Sequence, residues 1–245
     1  MAAGSAAGAT AVKPALRESP CDDCAIRETS VCEVLEPAQL ARMRAIATIM
    51  YLEPGTTLFQ ESEPAEHLCN VVEGAVKLYK LLPDGRRQIT GFLFPGDFLG
   101  VALNKSYAYS AEAMGNVRLC RFPRRKLENL LTELPNLEHR LLEVAGNELV
   151  AAQDQMLLLG RKTARERLAS FLSMVSRRAA ARGRPDSPID LPMSRADIGD
   201  YLGLTTETVS RTFTQLKKQG TIGLPSQTKV DILKREELEE IAEGG

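Results

Sequence analysis

The chain has 245 residues, 44% hydrophobic and 26% charged, with a formal net charge of −1. That length holds about two domains and a real core, and the near-zero charge means that any affinity for nucleic acid has to come from local basic patches. No apolar run approaches the ~20 residues of a membrane span and no signal-peptide core follows Lys13 and Arg17, so the expectation is a cytoplasmic protein with reduced thiols.

Residues 1–20 are rich in Ala, Gly and Ser without periodicity and predict a disordered tail. Cys21-Asp22-Asp23-Cys24 comes next, and Cys32 stands after seven further residues. At C-x-x-C spacing a short loop turns both sulfurs toward one metal, and the third thiol is near enough to join. His67 and His139 are the only histidines, and neither is close in sequence. An all-thiolate set suits zinc or an iron–sulfur cluster, the plain alternative being surface thiols. A fourth ligand has to come from farther along, from Cys69 or Cys120.

Glu36 to Ala47 predicts a short amphipathic helix with Leu40, Met43 and Ala47 on one side. From Ile49 to Phe122 short apolar runs are punctuated by Pro54-Gly55, Glu73-Gly74, Pro83-Asp84-Gly85, Pro95-Gly96-Asp97 and Gly115-Asn116. This texture predicts an antiparallel barrel or jelly roll, with a hairpin at Pro83-Asp84-Gly85. In a strand, Cys120 shares a face with Arg118 and Phe122, and Cys69 shares one with His67 and Val71. On chemistry alone either can complete a thiolate site, and either can equally be a buried structural thiol.

Pro123 opens a helical region, Pro135 interrupts it, and a long helix runs on to about Gly160. Within it Leu142, Ala145, Leu149, Ala152, Met156 and Leu159 recur at alternating steps of three and four. That is an a/d seam, which predicts a two-helix dimer interface; a helix lying on its own barrel would need a wider stripe. The small Ala145 and Ala152 bury little area and predict an adjustable dimer. The next basic run, Arg161, Lys162, Arg165, Arg167, Arg177, Arg178, Arg182 and Arg184, reads either as a solvated face or as a set of phosphate contacts.

Ser194 then caps a helix with Asp197 three residues on, and Ile198, Tyr201 and Leu202 give it an apolar stripe. Gly203 ends it, and Thr205 or Thr206 caps a second helix. There Val209 and Phe213 face inward, while Glu207, Ser210, Arg211 and Thr214 face outward. This is the helix-turn-helix pattern, whose second helix enters a major groove; the alternative is an ordinary helical hairpin. Thr221 to Leu233 predicts a small hairpin, or wing, and Glu236 to Glu243 an acidic helix turned away from DNA. The expected organisation is a tail over 1–20, a cysteine segment and β domain over 21–135, a dimerisation helix over 136–160, and a DNA-binding domain over 161–245.

These residues resemble the CRP/FNR superfamily of bacterial transcription regulators, and within it the FNR-type oxygen sensors, from Cys21 to about Ile232. The resemblance rests chiefly on Ile198 to Thr205 running into Glu207-Thr208-Val209-Ser210-Arg211, and on Met156 to Leu159 with Arg165 to Leu168 after it. It implies an α+β fold: an N-terminal antiparallel β jelly-roll like cyclic-nucleotide-binding domains, a long dimerisation helix and a C-terminal winged helix-turn-helix. It implies a homodimer, and DNA reading by Glu207, Ser210 and Arg211, with Thr206 and Thr208 beside them, at a TTGAT-like inverted repeat. The chemistry agrees, since Arg suits guanine, Glu accepts from a cytosine amino group, and Ser serves either.

The resemblance also implies a 4Fe-4S cluster on Cys21, Cys24, Cys32 and Cys120, with Cys69 structural; the longer gap before the third cysteine resembles the branch found in rhizobia and related bacteria. Cyclic-nucleotide-binding members hold the phosphate with an Arg, whereas Gly96 to Ala111 contains only Lys105. A buried phosphate without its bidentate partner is costly, so no cyclic nucleotide is expected. The resemblance therefore implies an oxygen-responsive regulator, mainly an activator of anaerobic genes, with RNA polymerase as partner and the Pro83-Asp84-Gly85-Arg86-Arg87 hairpin as a candidate contact. The alternatives are a zinc- or thiol-redox-based regulator and one sensing a small molecule in the barrel. An enzyme is not expected, because the barrel lacks a His/carboxylate cluster.

Overall fold

The cysteine-bearing segment, the strands and the helices succeed one another in a computed structural model that describes residues 21, 24–101 and 105–244; the expected tail over 1–20 lies outside the described residues. After a 3-10 turn at Arg27–Thr29, helix α1 spans Pro37–Ile46. Pro37 stands at the first helical position, where its missing N–H costs nothing, and Glu36 and Gln39 form a capping box.

Eight strands come next: β1 (Thr48–Leu52), β2 (Thr57–Phe59), β3 (His67–Glu73), β4 (Val76–Leu81), β5 (Arg87–Leu93), β6 (Phe98–Leu99), β7 (Ser110–Ala113) and β8 (Val117–Pro123). They form two antiparallel four-stranded sheets, β1-β8-β3-β6 and β2-β7-β4-β5. The period-2 alternation sorts side chains between the barrel interior and the outside. Cys69, Val71, Val117 and Leu119 point inward, while Leu68, Val72, Cys120 and Phe122 pack outward against α1 and the segment before it. The interior is filled by Phe59 and Tyr107, whose rings stack at 3.6 Å, and by Leu99 and Ala111 around them.

Beyond the strands lie helix α2 (Arg124–Leu131) and the 27-residue α3 (Pro135–Arg161). The interruption expected at Pro135 falls just before it, after Leu131, and Pro135 stands in the first turn of α3. Leu142, Leu149 and Met156 on α3 are 69%, 61% and 66% exposed in the single chain, so the stripe does not lie on the chain's own barrel. Ala152 is exposed and Ala145 half-buried. Leu159 turns instead to the core of the C-terminal lobe.

That lobe comprises α4 (Ala164–Ala180), β9 (Ile189–Asp190), α5 (Arg195–Leu202), α6 (Thr206–Lys218), β10 (Ile222–Ser226), β11 (Lys229–Ile232) and α7 (Arg235–Glu243). The wing is three-stranded, β10-β11-β9, because Ile189 and Asp190 pair with β11. Leu168, Phe171, Leu172, Ile198, Leu202, Val209, Phe213 and Leu216 form its core. The same core takes in Ile89 and Phe92 of β5, with Phe92 against Phe171 and Tyr201. The lobe therefore sits on the outer face of the β4–β5 hairpin.

Candidate functional site

Four of the five cysteines meet. Cys21, Cys24, Cys32 and Cys120 line one cavity with Ile26, Arg27, Leu40, Met43, Asn70 and Phe122. The turn at Arg27–Thr29 folds the N-terminal thiols back onto β8, and Ile26, Val31 and Leu35 anchor that segment in the apolar cluster around Phe122. Among the described residues no three His, Cys, Asp or Glu side chains form a group fit for one metal ion; the four thiols border a space instead. Burial pushes the Cys32 thiol up to about 11, with Cys21 and Cys24 adding to it and the Ser30 hydroxyl opposing. Cys120 is raised by burial first and then by Cys21, Cys32 and Cys24. Such thiols stay protonated unless a cation joins them. Cys69 is 2% exposed in the barrel interior, and burial lifts its thiol to about 12.

The cysteine segment is tied to the start of α3. Asn136 donates to the Val34 carbonyl at 2.6 Å and to Gln39 at 3.0 Å, and Arg140 pairs with Glu33 at 3.2 Å. Leu137, fully buried, packs in the same cluster as Cys32 and Cys120. At the other end of α3, Arg167 donates to the carbonyls of Leu159, Lys162 and Leu202 at 2.8–2.9 Å. One guanidinium thus clasps the end of α3 to the end of α5.

On α5, the Ser194 side chain accepts from the Asp197 N–H at 3.0 Å, and Asp197 Oδ2 accepts in return from the Ser194 N–H and hydroxyl. Gly203 ends α5 at φ 64°, a left-handed residue. Gly199 has no room for a side chain, since a Cβ there would stand 2.6 Å from the Leu204 carbonyl oxygen. The turn is thereby tight enough to bring α6 across α5. Thr205 caps α6, accepting from the Thr208 N–H, and Thr208 meets Thr205 hydroxyl to hydroxyl. Val209, Thr212, Phe213 and Leu216 are buried. Glu207, Ser210, Arg211, Thr214, Gln215 and Lys218 border an open surface groove, with Arg211 3.7 Å from Glu207 and the Ser210 hydroxyl donating to the Thr206 carbonyl. Thr206 is exposed at the start of the same helix. Arg195 stacks on Phe213 and braces α6 from α5.

Known proteins share this architecture. The family described as cyclic nucleotide-binding domain matches residues 49–133, and the one described as Crp-like helix-turn-helix domain matches residues 166–241. The nitrogen fixation regulation protein FixK of Bradyrhizobium diazoefficiens is 46% identical, over 83% of this chain and 86% of its own length. The chain belongs to the CRP/FNR family. The transcriptional activatory protein AadR of Rhodopseudomonas palustris is 44% identical, over 80% of this chain and 82% of its own. The solved structure of FixK2 from Bradyrhizobium japonicum has a TM-score of 0.76 and 41% identity, covering 80% of this chain and 97% of that one. These relatives are DNA-binding transcription regulators, not enzymes, and the jelly-roll, long helix and winged helix-turn-helix of this regulator are the family's fold. Among the described residues no helix is long and apolar enough to cross a membrane.

Several working residues of this CRP/FNR-family chain carry no local sequence signal. Lys77 on β4, 7% exposed, lies 2.9 Å from both Glu112 and Asp197. Arg87 bonds Asp197 at 3.1 Å and Asp200 at 2.9 Å. Asp97 accepts from Arg178 at 2.6 Å and from Arg182. These pairs lock α4 and α5 to the barrel. They also correct both readings of the basic run: Arg167, Arg178 and Arg182 serve carbonyls and Asp97, and Lys162 donates to the Ala242 carbonyl, so these four neither lie in solvent nor wait for phosphate. Arg87 is likewise spent on the lobe, which leaves Asp84, Arg86 and the exposed Leu81 as the hairpin's outward surface.

Proposed function

We propose that this regulator is an oxygen-responsive transcription factor of the cytoplasm, mainly an activator, whose Cys21, Cys24, Cys32 and Cys120 hold a 4Fe-4S cluster. The observation that carries the reading is the shared cavity: three thiols from the N-terminal segment and one from a strand border it, with no carboxylate among the described residues that line it. Thiols around a space suit a polynuclear group better than zinc, which wants four ligands converging on a point. Bound there, the cluster supplies a cross-link between β8 and the N-terminal segment that oxygen can destroy. The chain's own residues do the rest. Glu33, Val34 and Gln39 carry the position of that segment to Asn136 and Arg140 on α3. The exposed Leu142, Leu149 and Met156, with Ala145 and Ala152 between them, are the surface a second copy covers, while Leu159 at the end of the stripe packs into the C-terminal lobe. Arg167 passes the orientation of α3 to α5. Glu207, Ser210 and Arg211 then read a TTGAT-like half-site, with Thr206 and Thr208 at the helix start beside the backbone. RNA polymerase is the partner of the DNA-bound dimer. The stacked Phe59 and Tyr107 inside the barrel support the expectation that no cyclic nucleotide is bound.

Anaerobic purification, an absorption spectrum, and iron and sulfide assays test this reading. The expected protein is brown, with iron and sulfide in equal amounts; a colourless protein carrying zinc overturns it. For the groove, Arg211→Ala is expected to cost roughly 1–3 kcal/mol of DNA binding and to relax specificity at one base pair. Competition binding against single-base variants of the half-site checks it, and a uniform loss on all sequences would make Arg211 a phosphate contact instead.

A further inference from the structure

Asn70 lies on the outward face of β3, between Leu68 and Val72, and is 1% exposed. Cys120 stands directly opposite it in the β3–β8 register, and Asn70 lines the same cavity as the four thiols. Its Nδ2 donates to Cys32 Sγ at 3.9 Å, and its Oδ1 has no partner. Apart from the thiols and Arg27, the residues that line the cavity with it, Ile26, Leu40, Met43 and Phe122, are apolar. A leucine at this position would pack against them without stranding a polar atom, and an amide buried with an unpaired carbonyl is a net cost to folding. What the amide offers and leucine does not is an N–H aimed at sulfur. Ser30 reinforces the same corner: it is 2% exposed, and its hydroxyl oxygen accepts from the Cys32 N–H at 3.2 Å.

We propose that Asn70 is a positioning residue of the cysteine site: its side-chain N–H holds the Cys32 sulfur toward the cavity and draws charge from it when that sulfur is a ligand. This inference rests on the cluster reading above. Hydrogen bonds to ligating sulfurs are among the determinants of an iron–sulfur cluster's potential, and groups that orient ligands govern how firmly the metal is kept. Loss of the donor leaves more negative charge on the sulfur, which favours the oxidised state and lowers the potential.

Two arms test it. In the metal-free, reduced protein labelled with 15N, the Asn70 side-chain amide signals are expected to shift when Cys32→Ala is introduced; unmoved signals overturn the hydrogen bond, whatever the protein binds. In the anaerobically loaded protein, Asn70→Leu is expected to lose iron to a chelator about 10-fold faster than the parent, with a lowered midpoint potential. Asn70→Ala, which removes the amide without filling its space, is expected to move the potential in the same direction. A parent without iron and sulfide overturns the cluster reading and leaves the first arm to decide on Asn70. A loaded Asn70→Leu protein with the parent's potential overturns the role of Asn70 alone.

Discussion

Asp197→Ala is expected to destabilise the protein by about 3 kcal/mol, the lower end of the cost of removing one partner from a buried ion pair. One carboxylate oxygen caps α5 through Ser194, and the other holds Lys77 and Arg87 of the barrel. Truncation uncaps the helix and strands a lysine that is only 7% exposed, with Glu112 as its remaining partner. Burial pushes the Asp197 carboxyl up, but hydrogen bonds from Ser194 and Lys77 outweigh it and hold the group below its ordinary range. A depressed carboxylate contributes stability that is complete above the unfolded value, near pH 4, and is lost as pH falls through the folded one. The parent should therefore lose more stability than Asp197→Ala on acidification below about pH 4. Urea unfolding at neutral and acid pH measures both; a difference under about 1 kcal/mol at neutral pH would show that Arg87 and Glu112 hold the interface without Asp197.

Cys120→Ala is expected to abolish iron content and oxygen-dependent DNA binding together, whereas Cys69→Ala keeps both. Cys120 is the one thiol of the cavity that stands on a central strand, paired on both sides by β1 and β3; without it the N-terminal thiols have no strand-borne thiol to share a ligand with. Cys69 faces the barrel interior, away from that cavity. Iron and sulfide assays on anaerobically purified variants, with DNA binding measured before and after air, separate the two. The reverse pattern would place the fourth ligand at Cys69.

The reading head was largely legible in the sequence because its determinants are local. Ser194 with Asp197, Gly203 and Thr205 are cap and stop signals a few residues apart, and each forms as the spacing predicts. The choice between Cys69 and Cys120 was not, because both sit in strands where alternation defines two faces without saying which is inside. The sheet resolves the faces: β3 sends Cys69 inward and Asn70 outward toward Cys120. The charged contacts between barrel and lobe were illegible for a different reason. Asp97 meets Arg182 across 85 residues and Lys77 meets Asp197 across 120, and no periodicity links positions so far apart. The basic run around Arg167 resembled a nucleic-acid patch because sequence shows charge but not the carbonyls that consume it. Strand β9 escaped notice because two residues carry no pattern.

The three carbonyls gripped by Arg167 belong to the end of α3, the linker and the end of α5, so the joint between the long helix and the reading head is a splint rather than a tether. In the symmetric pair proposed on α3, this grip holds each head to the end of its own long helix. The distance between the two recognition helices is then measured out by the protein like the fixed points of a pair of dividers. Adding one base pair between half-sites turns the second half-site by roughly 35° about the duplex axis, and it is the DNA that would have to twist to meet the callipers.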